Sequence, residues 1–243
     1  MSVEQEIGEP IRGICSMAMR HVLADLAATY EKQSGTTIAI TAMGGVDAAR
    51  RVEAADPFDF VVLAADAIER LARSGRVDAV TRTDLARSGV ALAIPAGAVR
   101  PAISNEAAVR DAVLRARSVG YSTGPSGQHL LRLFERWGIA DAIASRIVQA
   151  APGVAVGTLL ARAEVDVGFQ QLSELVHVPG IDVVGPLPPE IQLMTTFSAA
   201  VCVVSKQHAA TVTFLSFLAS PTADRAKRRE GMEPTRADPV NFE

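Results

Sequence analysis

Two cysteines, one tryptophan and 5% aromatic residues leave this 243-residue chain without several features that would fix its class at once. Cys15 and Cys202 stand far apart and in no CxxC or Cys/His spacing. Neither a disulfide framework nor a structural zinc site is therefore indicated, and both read as small buried apolar residues. No residue cluster calls for a metal or another cofactor. No apolar stretch approaches the roughly 18–20 residues needed to cross a bilayer, because Arg, Asp or Lys interrupts every candidate, so no membrane insertion is expected. Charge of one sign is also missing. Lys plus Arg is 24 against 27 Asp plus Glu, a net charge of -3 that offers no pull on nucleic acid or acidic lipid. The basic run Arg225, Lys227, Arg228 and Arg229 lies beside Glu230 and Glu233 and reads as a solvated helix face. With neither GxGxxG nor GxxxxGK[ST], hydride and phosphoryl transfer are disfavoured. The start, MSVEQEIGEP from Met1 to Pro10, is acidic and has no basic segment followed by an apolar run. If that start is the native one, a cytoplasmic protein is expected; an in-frame start upstream would make it an exported receptor.

What the chain does have is 49% hydrophobic residues and an alternation of strand-like and helix-like segments. Met19, Val22, Leu23, Leu26, Ala27 and Tyr30 recur at three-and-four spacing and predict a helix within 17–30. Thr36–Thr41 and Phe58–Leu63 are bounded by Gly or Pro and rich in strand formers. Further strands are predicted at 90–94, 118–122, 165–170, 181–184 and 199–204. Helices are predicted at 67–74, 128–137, 140–148, 156–163, 209–218 and 222–229. Strand alternating with helix implies an α/β protein with mainly parallel sheets covered on both faces. No repeats or long Pro/Gly/Ser linkers occur, so two lobes would be joined by short crossing strands at 90–95 and 199–204.

Several blocks then form one pattern. SMAMRHVLADLAATYEKQSG (16–35), TAMGG (41–45), ARRVEAADPFDFVVLAAD (49–66), TGPSGQHLLRLFERWGI (123–139), AEVDVGFQQLSEL (163–175) and FLSFLASPTADRAKRREGMEP (214–234) follow one another in order. Together they resemble the molybdate-binding-protein-like family over nearly the whole chain. The resemblance implies a two-lobed periplasmic-binding-protein type II fold with an interlobe ligand cleft. One lobe would be 1–89 plus 200–243 and the other 90–199.

The resemblance also marks candidate ligand positions, and this sequence departs from the oxyanion pattern at several of them. Molybdate-type sites hold a dianion with Ser hydroxyls and helix-start amides. Here Ala18 stands where a contacting Ser is expected, Gly44 or Gly45 stands where the second loop carries serines, and Gln171 replaces a Tyr. Ser16 restores one hydroxyl if the register slips by two residues. Arg20 and His21 open the first helix. Met43, Gly44 and Gly45 form the second loop, Ser122, Thr123, Ser126 and Gly127 surround a helix start, and Gln170 and Gln171 end a strand. A guanidinium, hydroxyls and helix-start amides suit carboxylates. The family resembled includes an isomerase of trans-aconitate that shifts a double bond by allylic proton transfer. The expectation is therefore a small-molecule anion ligand, most simply an organic polycarboxylate, with His129 first and His21 second as proton-transfer groups. Two alternatives stay open: a non-catalytic binder of molybdate, tungstate or another oxyanion, and the exported receptor. Oligomeric state cannot be read from the residues.

Overall fold

The computed structural model describes residues 9–151 and 153–235. The first eight residues, on which most of the leader argument rests, lie outside the described residues. Two compact units are present: one comprises the chain up to Ala86 and again from Thr196, the other Arg87–Thr195.

In the first unit, β1 (Ile11–Ser16) passes through one 3-10 turn, Met17–Met19, into α1 (Arg20–Ser34). There follow β2 (Ile38–Met43), α2 (Gly45–Glu53), β3 (Phe60–Ala64) and α3 (Ala65–Arg73). β1 lies between β2 and β3 and is parallel to both. Strand alternation sorts the core. Phe60 and Val62 pack with Val22, Leu23 and Leu26 of α1, whereas Val61 and Leu63 pack with Ala48, Val52, Ile68 and Leu71 of α2 and α3. Each Leu, Ile or Phe so buried contributes about 1.5–3 kcal/mol of transfer free energy. Gly13 is required by this packing, since a Cβ there would lie 2.0 Å from Cζ of Phe60.

β4 (Thr83–Pro95) is long enough to run through the division after Ala86. The second unit then contains α4 (Glu106–Arg115), β5 (Val119–Tyr121), α5 (Pro125–Arg136), α6 (Ala140–Ile143), β6 (Ile147–Gln149), α7 (Val156–Ala161), β7 (Val167–Gln171) and β8 (Ile181–Pro186). β9 (Met194–Val201) carries the chain back past Thr195, and α8 (His208–Leu218) and α9 (Asp224–Arg229) follow. β5 is parallel to β6 and β7. The antiparallel pairs are β9 on β3 in the first unit, and β7 and β8 on β4 in the second. Each unit thus has a parallel βαβ heart with a crossing strand laid antiparallel beside it.

Three sequence expectations need correction. The helix expected over 140–148 stops at Ile143, and Ile147–Gln149 pair with β5 as β6. The β-branched Ile147 and Val148 suit that strand, and Arg146 holds the turn by donating to the carbonyls of Leu114 and Ala116. The strand expected over 199–204 begins earlier and ends at Val201. Cys202 makes only an isolated bridge to Val77, and the Ser205 hydroxyl donates to Asp59, turning Val203 and Val204 outward. Helix α4 was not anticipated, although Asn105 caps it by accepting from the Ala108 N–H at 2.9 Å.

Candidate functional site

The residues singled out in the first unit gather at the C-terminal ends of β1 and β2, the edge where parallel α/β sheets place ligands. Ser16 closes β1 opposite Met43, which closes β2. Gly44 and Gly45 then start α2, and a Cβ at Gly45 would stand 3.7 Å from Cβ of Ser16. The first intrahelical bond runs from the Ala48 N–H to the Gly44 carbonyl, so the N–H groups of Gly45, Val46 and Asp47 precede the helical ladder. Ser16 is 8% exposed and its Oγ is buried with no hydrogen-bond partner. A hydroxyl in that condition costs roughly 1–3 kcal/mol, a cost an acceptor brought to this edge would remove. Ala18 is different: its methyl group belongs to the core beneath α1, leaving only its backbone to face a ligand. Arg20 and His21 are both exposed at the start of α1. The nearby-in-sequence carboxylates are engaged with other arginines, Asp25 with Arg229 and Asp47 with Arg50. The Arg20 charge also acts on Cys15, but desolvation dominates there and pushes the thiol up to about 12, an inert neutral group.

In the second unit Ser122, Thr123 and Gly124 link β5 to α5, with Pro125 at the first helical position, where its missing N–H is harmless. The Ser122 and Ser126 hydroxyls share a hydrogen bond at 2.9 Å. One hydrogen joins the pair, so the hydroxyl that accepts it retains its own for an outside acceptor. Gly127 lies directly under the loop: a Cβ there would meet the Ser122 carbonyl oxygen at 1.8 Å. The Gln128 N–H closes on the Gly124 carbonyl, so the amides of Ser126 and Gly127 precede the helical ladder. On the adjacent strand, where Tyr121 pairs with Phe169, Gln170 and Gln171 end β7. Both are buried, at 2% and 4% exposure. Gln170 accepts from the Val156 N–H at 2.7 Å and donates to Glu174, while Gln171 donates to the Thr195 hydroxyl at 2.8 Å. The Gln171 Oε1 is buried without a partner. Exchanging the two ends of that amide would let Oε1 accept from Thr195 and turn the NH₂ toward a new acceptor.

His129 is not gathered to the strand ends. It lies one turn along α5, and its Nε2–H donates to the Ile191 carbonyl at 2.7 Å, which leaves Nδ1 as the basic nitrogen of the neutral ring. Glu174, absent from the sequence expectations, stands in the 3-10 turn after β7. Desolvation raises its carboxyl from 4.5 to about 7, and the Gln170 hydrogen bond only partly offsets the rise. The available signal was an acid four residues after Gln170 in an otherwise apolar LSEL segment. Among the described residues no group of three or more His, Cys, Asp or Glu could hold a metal ion, and no helix is long and apolar enough to cross a membrane.

A family model described as bacterial extracellular solute-binding protein matches residues 11–233. The chain belongs to that family. An aconitate isomerase from a Pseudomonas species is 37% identical over 223 residues, covering 89% of this chain and 85% of that protein. Among solved structures, the Azotobacter vinelandii periplasmic molybdate-binding protein superposes with a TM-score of 0.78 at 17% identity, over 94% of this chain and all of that one. The binding protein AgtB from Agrobacterium, solved with agropinic acid, gives a TM-score of 0.69 at 14% identity, over 95% of this chain and 84% of that one.

These structural likenesses establish that this solute-binding family member has the type II periplasmic-binding-protein fold. They leave its ligand open, since one relative was solved with an organic acid and another is named for an inorganic anion. Fold alone does not select between them.

Proposed function

We propose that this protein binds a small polycarboxylate of the aconitate type and isomerises it by moving a double bond through allylic proton transfer. The observation that carries this reading is the 37% identity to an aconitate isomerase across 89% of the chain. The donor set supports it: an exposed guanidinium at Arg20, the unpartnered Ser16 hydroxyl, the Ser122–Ser126 pair, and the amides opening α2 and α5. Thr123 and the backbones of Ala18, Met43, Gly44, Gly45 and Gly127 complete the proposed contacts, with Gln171 adding a donor if its amide is turned.

The chemistry asks three things of these groups. A base removes a proton from the methylene carbon beside a carboxylate, and the electron pair spreads through the adjacent double bond into carboxylate oxygens. Donors already in place stabilise that enolate-like charge without reorganising; helix-start amides, hydroxyls and Arg20 are of this kind. The proton then returns to the carbon two positions away, so the double bond moves with no change in atoms or oxidation state. Among the histidines, His129 through Nδ1 is the first candidate for this transfer and His21 the second.

A thermal-shift titration with trans-aconitate, cis-aconitate, citrate, molybdate, tungstate and sulfate tests the ligand class. A ligand at about 100 times its Kd stabilises by about 2.7 kcal/mol and raises the Tm by several degrees. The expected result is a rise with the aconitates and none with the tetrahedral anions. A rise with molybdate or tungstate alone would replace this reading by oxyanion binding.

A further inference from the structure

We propose that Glu174 is the group that takes up and returns the proton in the double-bond shift, held for that role by Gln170. The inference rests on the isomerase reading above and assigns to it a residue that neither the sequence expectations nor the comparisons single out.

The geometry is that of a carboxyl held through one of its two oxygens. Gln170 is locked by its own two bonds: Oε1 accepts from the Val156 N–H and Nε2 donates to Glu174 Oε2. This orients the carboxyl while leaving Oε1 of Glu174 with no hydrogen bond among the described residues. Glu174 is half-buried, so the carboxyl is desolvated without the residue being sealed in the core. Its place is the C-terminal end of β7, next to the β5 end that carries Ser122 and Ser126. A general base works best when its pKa lies near the working pH, and burial brings Glu174 to about 7 with no charged neighbour among the causes. His129, one turn into α5, is less well placed, because its Nε2–H is bound to the Ile191 carbonyl.

The step balances simply. The ionised Glu174 takes a proton from the methylene carbon, and the C–H electron pair becomes the new C=C bond as the old double bond's pair moves toward the carboxylates. The resulting carboxylic acid exchanges its proton with solvent and delivers one to the far carbon, restoring the carboxylate. No oxidant, reductant or second substrate is needed.

The test is the rate of deuterium entry into trans-aconitate in heavy water, followed by proton NMR from about pH 5.5 to 8.5, for wild type and E174Q. Glutamine at this position keeps an acceptor for Gln170 but cannot carry the proton, so a purely structural role would survive the change. Wild type is expected to gain rate with rising pH and to level off above about 7. E174Q is expected to lose about a hundredfold or more in kcat, to lose that acidic limb, and to keep its Kd for trans-aconitate within about threefold. An E174Q rate within about threefold of wild type, with the limb intact, would overturn the assignment while leaving the isomerase reading standing. If wild type itself neither exchanges deuterium into any aconitate nor interconverts the isomers, both fall. Should E174Q melt below the assay temperature, E174D decides: a slowed rate with a displaced limb supports the role, and an unchanged rate and limb refute it.

Discussion

The candidate ligand edges of the two units are built from the same parts, a strand end, a small-residue turn and a helix start, yet their polar groups are satisfied to different degrees. In the second unit most of the edge is internally bonded, Oε1 of Gln171 excepted. Ser122 and Ser126 share a proton, Gly127 lets the loop lie on the helix, and Gln170 ties Val156 to Glu174. In the first unit the edge is left open: Ser16 has a buried hydroxyl with no partner, and Arg20 is exposed while Asp25 and Asp47 pair with other arginines. Transition-state stabilisation favours groups fixed beforehand, and affinity favours donors that a ligand is the first to satisfy.

The comparison can be broken most severely at Gly127. Gly127→Ala would drive a methyl group into the Ser122 carbonyl, so the loop must move. A loss of at least about 2 kcal/mol in urea unfolding is expected, together with lost aconitate binding. Next is the pH dependence of stability at Glu174. Its folded pKa is raised, so the folded state holds more protons than the unfolded one between about 4.5 and 7, and stability falls as pH rises through that window. E174Q removes this dependence. Unfolding of E174Q and wild type should therefore diverge in the variant's favour by about 1–3 kcal/mol between pH 5 and pH 8.

Ser16→Ala sharpens the contrast by separating stability from binding. Removing an unpartnered buried hydroxyl is expected to raise stability by about 1 kcal/mol, while calorimetry registers about a tenfold weaker Kd for the carboxylate. If both quantities fall, Ser16 has a structural partner and the first unit is not open in the sense argued. The smallest effect belongs to Arg20→Gln. Unfolding should stay within about 0.5 kcal/mol of wild type, as for other exposed positions, while affinity falls a few-fold and becomes less sensitive to salt.

Much of this arrangement was legible from residues alone. The order of strands and helices, the turn residues at 44–45 and 124–127 and the family pattern lie in local spacing, which backbone geometry reads directly. The lapses also have local causes. Ile147 and Val148 continue an apolar pattern that serves a short strand as well as a helix. Val203 and Val204 look like strand but lie past the last β9 pairing. The states of the candidate site residues could not be read, because they depend on partners distant in sequence: His129 on Ile191 and Gln171 on Thr195. Glu174 shows the same limit. Its spacing from Gln170 is visible in the sequence, but the desolvation that raises its pKa appears only once the chain is folded.

The isomerase activity is tested most directly by proton NMR of trans-aconitate incubated with the purified wild-type chain in heavy water. The expected result is loss of the methylene and vinyl proton signals by deuterium exchange, with the appearance of the cis isomer. Unchanged spectra at an aconitate concentration that measurably stabilises the protein would contradict it and leave a binding protein without turnover.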